Sequence, residues 1–577
     1  MRIKHFFGLA VIAAMTASCS SNNELVNGGN GSGENETGAS YASFSINLPT
    51  TSGTRADGDP TFEDGTASEY KVNDATLLIF KKGETTKEGE TTKEGDYTFV
   101  ESAELGSMAP WKDPSETGVT THAKITAKLE SVNKNDNNFA LVLLNNGTGT
   151  NAKVAMPSVG DKFSAWNAKA TDKFATYENG FYMANAPLFK NNNVTTLVPI
   201  ESSKIYSTEE EAAKNAATDI YVERGLAKVT LGTGTTEEKT VADGTYKDDQ
   251  VKISKWVLDV TNKKAFPIHN VDGLATDDND IWGNNTTASP TNNATNQRFV
   301  DNTAALAKRV YWGKDPNYDK VDLRKTDEAG KTAREAEFNY VKANTEVSEA
   351  PTTALYCLEN TFNLDNMMQG QTTRIIFKAK YTPKGFKENE NFYKIGKNTA
   401  IWNKDDLVKE IKAAVASVVS GATNIDVTLD AEGNDITAAG THYIKAANIT
   451  VTDVEAETIE KAITAINTQL GLNETKKVGI STYAGGESYY IARIKHFGDA
   501  LTPWSSGDYG TNDLAYLGRY GILRNNWYEL TVSSVSGPGY PSVPEVKPNT
   551  PDDENDKYIS VSVKILKWAK RSQDVKL

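Results

Sequence analysis

Apolar and polar residues alternate in a short segment at each end of the chain. Near the front, Tyr41-Ala-Ser-Phe-Ser-Ile-Asn-Leu48 sets Phe44, Ile46 and Leu48 on one side and Ser43, Ser45 and Asn47 on the other. Near the end, Tyr558-Ile-Ser-Val-Ser-Val-Lys-Ile565 sets Ile559, Val561, Val563 and Ile565 on one side. A period of two marks a strand with one buried face. Neither strand can bury that face alone, and a polar stretch separates each from the body. The front strand is followed by Thr50-Thr-Ser-Gly-Thr-Arg-Ala-Asp-Gly58, a small, flexible run that carries Arg55. The back strand follows the proline-rich stretch 537–551 and the acidic Asp552-Asp-Glu-Asn-Asp556. Proline holds a segment extended and removes ladder donors, so 541–557 is expected to be a stiff linker holding the strand 558–577 away from the body. A removable strand at one end and a spare strand at the other point to polymerisation by strand exchange.

The body reads as mainly β. Residues 72–80, 139–144, 219–222, 227–231, 251–258, 374–381 and 527–532 are short apolar or alternating runs bounded by polar turns. Strands at this spacing with few helices between them predict sandwiches rather than a doubly wound sheet. Two helices are predicted late, over 404–419 before Gly421 and over 456–470 before Gly471, with Asn403 capping the first. They flank the strand-like 425–429, so the block from about 403 to 471 reads as an insertion in a β domain. A boundary is expected between 222 and 223, dividing the body into an N-terminal domain, 56–222, and a C-terminal domain, 223–540. The tandem hexapeptide at 83–94, Gly-Glu-Thr-Thr-Lys-Glu twice, has no apolar side and is expected to extend a hairpin loop.

Residues 1–19 read as an export signal. Arg2 and Lys4 precede an apolar run, 6–14, that is too short to span a bilayer, and Met15-Thr-Ala-Ser18 leads to Cys19. The cysteine after small residues resembles a bacterial lipobox, which would make Cys19 the lipid-bearing first residue of a lipoprotein. Met15 and Thr16 depart from the leucine-rich pattern, and the alternative is an ordinary signal with an incidental cysteine. Residues 20–55 then form a propeptide containing the removable strand. Of the two cysteines in 577 residues, only Cys357 lies in the body, so internal disulfides play no part. The net charge is −14, and residues 1–55 hold three Lys or Arg against three Glu, so their loss leaves it unchanged. An acidic surface argues against nucleic acid or anionic lipid as a partner.

Catalytic signatures are weak. His122, His269, His442 and His496 are not at metal-ligand spacing from one another. Gly147-Thr-Gly-Thr-Asn-Ala152 mimics a dinucleotide fingerprint but is followed by Pro157 and Gly160 rather than a helix. The acidic Asp277-Asp-Asn-Asp280 misses the spacing of a calcium loop and reads as solvated. Cys357 has no histidine beside it in sequence and reads as a small core residue. A distant pair of carboxylates for sugar hydrolysis stays open. No enzymatic activity, cofactor or metal is expected.

The layout resembles the fimbrillins of Bacteroidota, most closely the Mfa-type (minor fimbria) shaft subunits. The residues that carry the resemblance are Ala17-Ser-Cys19, Arg55-Ala56, Tyr221-Val-Glu-Arg-Gly-Leu-Ala-Lys-Val229, Tyr356-Cys-Leu-Glu-Asn-Thr361, Arg519-Tyr-Gly-Ile-Leu-Arg-Asn-Asn-Trp-Tyr528 and Ile559-Ser-Val-Ser-Val-Lys-Ile-Leu-Lys-Trp568, in that order. The helical block matches least. The resemblance implies two tandem β-sandwich domains of transthyretin-like, Greek-key type, with a detached C-terminal donor strand. It implies lipidation at Cys19, transport to the outer membrane surface, and cleavage between Arg55 and Ala56 by an arginine-specific protease. Arg55 is the only Lys or Arg between Lys4 and Lys71. Removing the first strand would open a groove for Ile559, Val561, Val563 and Ile565 of the next subunit, with Trp568 anchoring the far end past a bulge near Leu566. The implied partners are identical subunits head to tail, anchor and tip subunits, the protease, and surface ligands in adhesion. Two other readings compete: a surface glycan-binding lipoprotein or hydrolase whose end strands pair within their own domain, and an anchor or tip subunit.

Overall fold

The computed structural model describes residues 39–47, 66–83, 92–106, 122–190, 193–272, 274, 308–310, 312–497, 502, 516–553 and 559–567. Its front half is one eight-stranded sheet. The strands are β1 (Ser40–Asn47), β2 (Ala75–Lys81), β3 (Thr98–Glu104), β4 (His122–Leu129), β5 (Asn138–Leu144), β6 (Met183–Asn185), β7 (Val198–Ile200) and β8 (Thr218–Arg224). They pair in the order β3-β2-β5-β6-β8-β1-β4, with β7 added to β5. The sheet curls until its two end strands approach. Glu101 on β3 there accepts the N–H groups of Glu130 and Ser131, just past β4, at 3.0 and 3.1 Å. Both faces of β2 and β5 are covered: Leu77 and Ile79 stand opposite Val142 and Ala140 on one side, Leu78 and Phe80 opposite Leu141 and Phe139 on the other, and Trp166 and Phe174 are buried in the same apolar cluster. The mainly β, sandwich-type architecture expected from the sequence is met in this half by one curled sheet.

The back half is a sandwich in the ordinary sense. One sheet runs β11-β9-β14-β15, from β9 (Leu226–Leu231), β11 (Leu355–Leu358), β14 (Asn526–Val535) and β15 (Ile559–Lys567). The other contains β10 (Gln250–Asp259), β12 (Arg374–Thr382) and β13 (Glu487–Arg493), with the short strand Lys239–Thr240 at its edge. Val229, Trp256, Phe377, Tyr490, Tyr528 and Leu530 fill the space between them. The strand runs read from sequence fall on β2, β5, β8, β9, β10, β12 and β14. β4 is less visible in the sequence because alanine stands at two of its inward positions, Ala123 and Ala127.

Between β12 and β13, which are hydrogen-bonded neighbours, the chain leaves the sandwich through the paired strands Phe392–Ile395 and Ile480–Tyr483. The excursion carries the two long helices expected from sequence. They follow α1 (Glu209–Lys214) and α2 (Glu328–Glu337) as α3 (Lys404–Val418) and α4 (Ala456–Gln469). Asn403 caps α3 by accepting the N–H of Asp406 at 2.9 Å. Leu407, Ile411 and Val415 meet Ile459 and Ile466 in a core separate from that of the sandwich.

The two halves meet where three of the sequence motifs converge. Leu226 belongs to the first apolar cluster and Ala227, next to it, to the second. Gly225 between them has no room for a side chain: a Cβ there would sit 3.0 Å from the Phe174 ring and 3.2 Å from Tyr182. Beside this crossing, Lys228 pairs with Glu69 at 2.8 Å, with both side chains buried, and stacks 3.8 Å over Trp527. The Tyr356 hydroxyl donates to the same carboxylate. Burial alone would raise the Glu69 carboxyl, but the hydrogen bonds from Lys228 and Tyr356 and the Lys228 charge hold it below the usual range. Nearby, buried Arg524 pairs with buried Glu359 and donates to the Phe266 carbonyl at 3.1 Å. Breaking a buried pair strands its partner's charge. Arg524→Met should therefore cost about 3–5 kcal/mol in urea unfolding, and a loss below about 1 kcal/mol would contradict this role.

Candidate assembly interface

β1 occupies an interior position in the first sheet, not an edge. It runs parallel to β8, with Phe44 opposite Thr218 and Ile46 opposite Ile220, and antiparallel to β4, from Ser40 opposite Leu129 to Asn47 opposite His122. Ala42, Phe44 and Ile46 point into the core and have no exposure. Burying Phe44 and Ile46 contributes roughly 1.5–3 kcal/mol each. The inward face matches the alternation read from sequence. Leu48, the last residue of that run, lies outside the described residues.

The other face was expected to be polar, and it is, but it is not open to water. The segment ending in α1 folds over it. Tyr206 and Tyr41 exchange backbone hydrogen bonds at 2.8 Å. The Ser43 hydroxyl, buried, donates to the Ala212 carbonyl of α1 at 2.7 Å and shares a bond with the Thr126 hydroxyl at 2.8 Å. Lys124 on β4 closes the lid from the far side, donating to the carbonyls of Ala213 and Asn215 at 2.8 and 2.7 Å. At the end of β1, the Asn47 side chain donates to the carbonyls of Ser45 and Ile220 at 3.0 and 3.4 Å. No local signal distinguishes Ser43 from Ser45, because burial of Ser43 comes from a helix about 170 positions away.

β15, expected to be detached, is instead hydrogen-bonded to β14 of the same chain. Ile559, Val561, Val563 and Ile565 stand opposite Val535, Val532, Leu530 and Tyr528. Those four residues of β14 are all buried in the sandwich core. Val561 and Val563 pack against that core and are half-buried. The irregularity in the ladder falls where Val532 and Ser534 face Val561 and Ser560, and pairing through Leu566 and Lys567 is regular, so no bulge occurs near Leu566. β15 lies at the end of its sheet, with one hydrogen-bonded neighbour among the described strands. The physical reason for docking is plain: a free β15 would leave the β14 ladder unpaired beside a buried apolar row.

The proline-rich stretch does not stand off either; it lies as a strap across the sandwich. Tyr540 exchanges backbone bonds with Tyr489 at 2.9 and 2.7 Å, Arg374 donates to the Pro544 carbonyl at 3.0 Å, and Gln369 N–H to the Thr550 carbonyl at 2.8 Å. At its end, Asp552 accepts from the Thr372 hydroxyl at 3.1 Å, and Asp553 is buried beside it. Burial, then the Asp552 charge, pushes the Asp553 carboxyl up to about 7, against the opposing pull of Arg519, Arg493 and Lys495.

The remaining candidates do not converge. Cys19, Arg55, Ala56 and Trp568 lie outside the described residues, as does the acidic run 277–280. The Gly147 fingerprint opens only a one-turn 3-10 segment, Gly149–Asn151. His269 bonds Glu223 at 2.9 Å and His496 the Tyr528 hydroxyl at 2.8 Å, each as part of a buried structural pair. Burial pushes the Cys357 thiol up to about 12, which leaves no thiolate for nucleophilic chemistry. Among the described residues, no group of three or more His, Cys, Asp or Glu could hold a metal ion, and no helix is long and apolar enough to cross a membrane.

Residues 481–574 match the family model described as major fimbrial subunit protein type IV, fimbrillin, C-terminal. The matched span takes in β13, β14, the strap and β15. No curated protein matches the chain. The match supports a fimbrillin family and, with it, a non-enzymatic structural subunit of a fimbrium at the cell surface.

Strap docking should depend on pH. A released Asp553 titrates near 4, whereas the docked carboxyl holds its proton to about 7. The docked state binds more protons across that window, so docking is favoured at low pH and weakens as pH rises from about 4 to about 7, then levels off. Amide exchange over 537–553, corrected for intrinsic rates, should show more opening at pH 8 than at pH 5, and Asp553→Asn should flatten the difference. Equal opening of the native strap at both pH values would refute the assignment.

Proposed function

We propose that the chain is the shaft subunit of a surface fimbria of the Mfa type, assembled by donor-strand exchange. In this reading the precursor is exported and lipidated at Cys19, reaches the outer membrane surface, and is cut between Arg55 and Ala56 by an arginine-specific protease. Residues 56–222 and 223–540 are its two domains, 541–557 the linker and 558–577 the donor strand. The observation that carries the reading is the interior place of β1. A strand that completes a core from inside the sheet, yet precedes a cleavable linker, leaves a gap flanked by two unpaired ladders when it is removed.

A difference in pairing supports the exchange itself. Docked on β14, β15 has one ladder and half-buried valines. The vacated slot would offer two ladders, β8 and β4, an apolar floor and a lid. A donor strand from the neighbouring subunit therefore gains by moving from the first place to the second once β1 has gone. The contact is heterologous and does not close on itself, so it propagates as a filament. Anchor and tip subunits would terminate the filament, and adhesion would follow from what the tip presents.

The cis pairing of β15 also favours a second reading, a surface glycan-binding lipoprotein that keeps Cys19 and both end strands. Mass spectrometry of surface protein separates the two: a mature terminus at Ala56 supports the fimbria, and a retained lipid at Cys19 opposes it. Arg55→Ala should leave a folded, membrane-bound monomer, and normal filaments from that variant would sink the maturation step. Removing 558–577 should likewise abolish filaments in electron micrographs, whereas long fibres would refute the donor strand.

A further inference from the structure

The slot that β1 fills is not uniformly apolar. On its lid side, one position is built for a small hydroxyl: Ser43 is buried, donates to the Ala212 carbonyl at 2.7 Å and bonds the Thr126 hydroxyl at 2.8 Å. Two residues on, Ser45 is only half-buried. The donor strand repeats this order. Ser560-Val-Ser-Val-Lys-Ile565 lies on Ser43-Phe-Ser-Ile-Asn-Leu48 position by position, serine on serine and apolar on apolar.

Resting on the donor-strand reading above, we propose that the incoming strand copies β1 in direction and register, with Ser560 of the neighbouring subunit in the place of Ser43. Ile559, Val561 and Val563 then take the buried places of Ala42, Phe44 and Ile46, Ser562 takes the half-buried place of Ser45, and Lys564 reaches Asn47. Ser560 is in this way the register-determining residue. An apolar residue there would leave the buried Ala212 carbonyl without its donor and the half-buried Thr126 hydroxyl without its partner.

Other registers that also bring a serine to the hydroxyl position fit less well. A shift by two residues, with Ser562 at the Ser43 place, puts Leu566 where Asn47 donates to the Ser45 and Ile220 carbonyls. Running the strand backwards with Ser562 at the same place puts Tyr558 at Asn47 and leaves Ile565 at Ser40, which is only half-buried. Of the three registers, only the copied one puts a charged side-chain donor, Lys564, at the place of Asn47, and it keeps Ile559, Val561 and Val563 at the buried places of Ala42, Phe44 and Ile46.

Paired cysteines test the register in filaments assembled from the full chain. Residue 45 stands opposite Lys124 in β4, whereas within one chain Ser562 stands opposite Thr531, so a bond from 562 to 124 reports the exchanged strand. Lys124→Cys with Ser562→Cys should give a ladder of linked subunits on non-reducing gels after mild oxidation. Native Cys357 is buried and does not compete. A ladder instead from Lys124→Cys with Lys564→Cys, the shifted register, or with Ser560→Cys, the reversed one, overturns the register while leaving donor-strand exchange standing. Filaments with no ladder from any of the three pairs overturn both. A second measurement is independent of cross-linking. Filaments of Ser560→Val should dissociate in denaturant on the order of tenfold faster than those of Ser562→Val, as expected for one stranded buried hydrogen-bond pair. Equal rates overturn the assignment of Ser560.

Discussion

The structure depends on one requirement of sheets: backbone groups inside a buried ladder must be paired. β1 meets that requirement for two neighbours at once, because it sits between β8 and β4 rather than at an edge. Its three inward side chains complete the core, and its outward face is sealed by α1 through Ser43. A strand in such a place is not an ornament on a finished domain. Whatever occupies the slot, whether β1 or a replacement, has to supply the same two ladders, the same apolar row and a hydroxyl in the same place.

At the other end of the chain the same requirement produces a weaker solution. β15 covers the buried row of β14, and its valines are half-buried there. The strap that leads to it is held along its length, from the Tyr540–Tyr489 bridge to the Asp552–Thr372 bond. The carboxylates at its end are the costly part of that contact, since Asp553 is taken out of water beside Asp552. The strap and β15 can thus be read as one unit parked on the sandwich, tied by many individually modest contacts. In the proposed exchange it is this unit that changes partner.

Between the two ends, charge is placed where the halves of the molecule meet. Glu69, Lys228 and Tyr356 form one buried group, and Arg524 and Glu359 another, close to the tight crossing at Gly225. Buried ion pairs add little net stability compared with apolar packing, but they tolerate few alternative geometries. Their placement fits a subunit whose two cores must keep a fixed relation along a filament. The helical block, with a core of its own, takes no part in this junction; it rises from the sheet opposite β14 on its own two-stranded stem.

Much of the fold was legible because periodicity is local. The alternation of β1, β10, β14 and β15, the short apolar runs of β2 and β5, the Asn403 cap and the two long helices with glycine beyond each C-terminus all follow from neighbours within a turn or a pleat. The weakly alternating β4 was harder, since alanine carries little apolar signal. The candidate site divides in the same way. The sequence by itself determined that two strand-forming segments flank the body, which side of each is apolar, and where a lone arginine separates the first from the rest. Only the tertiary structure decided that β1 is interior to its sheet, that Ser43 rather than Ser45 is buried, that β15 and its strap are docked on the sandwich, and that three motifs hundreds of residues apart share one junction. The reason is that pleat and turn are set by residues a few positions away, whereas burial on the second face of a strand, and the partner of a buried charge, are set by segments brought together only when the chain closes on itself.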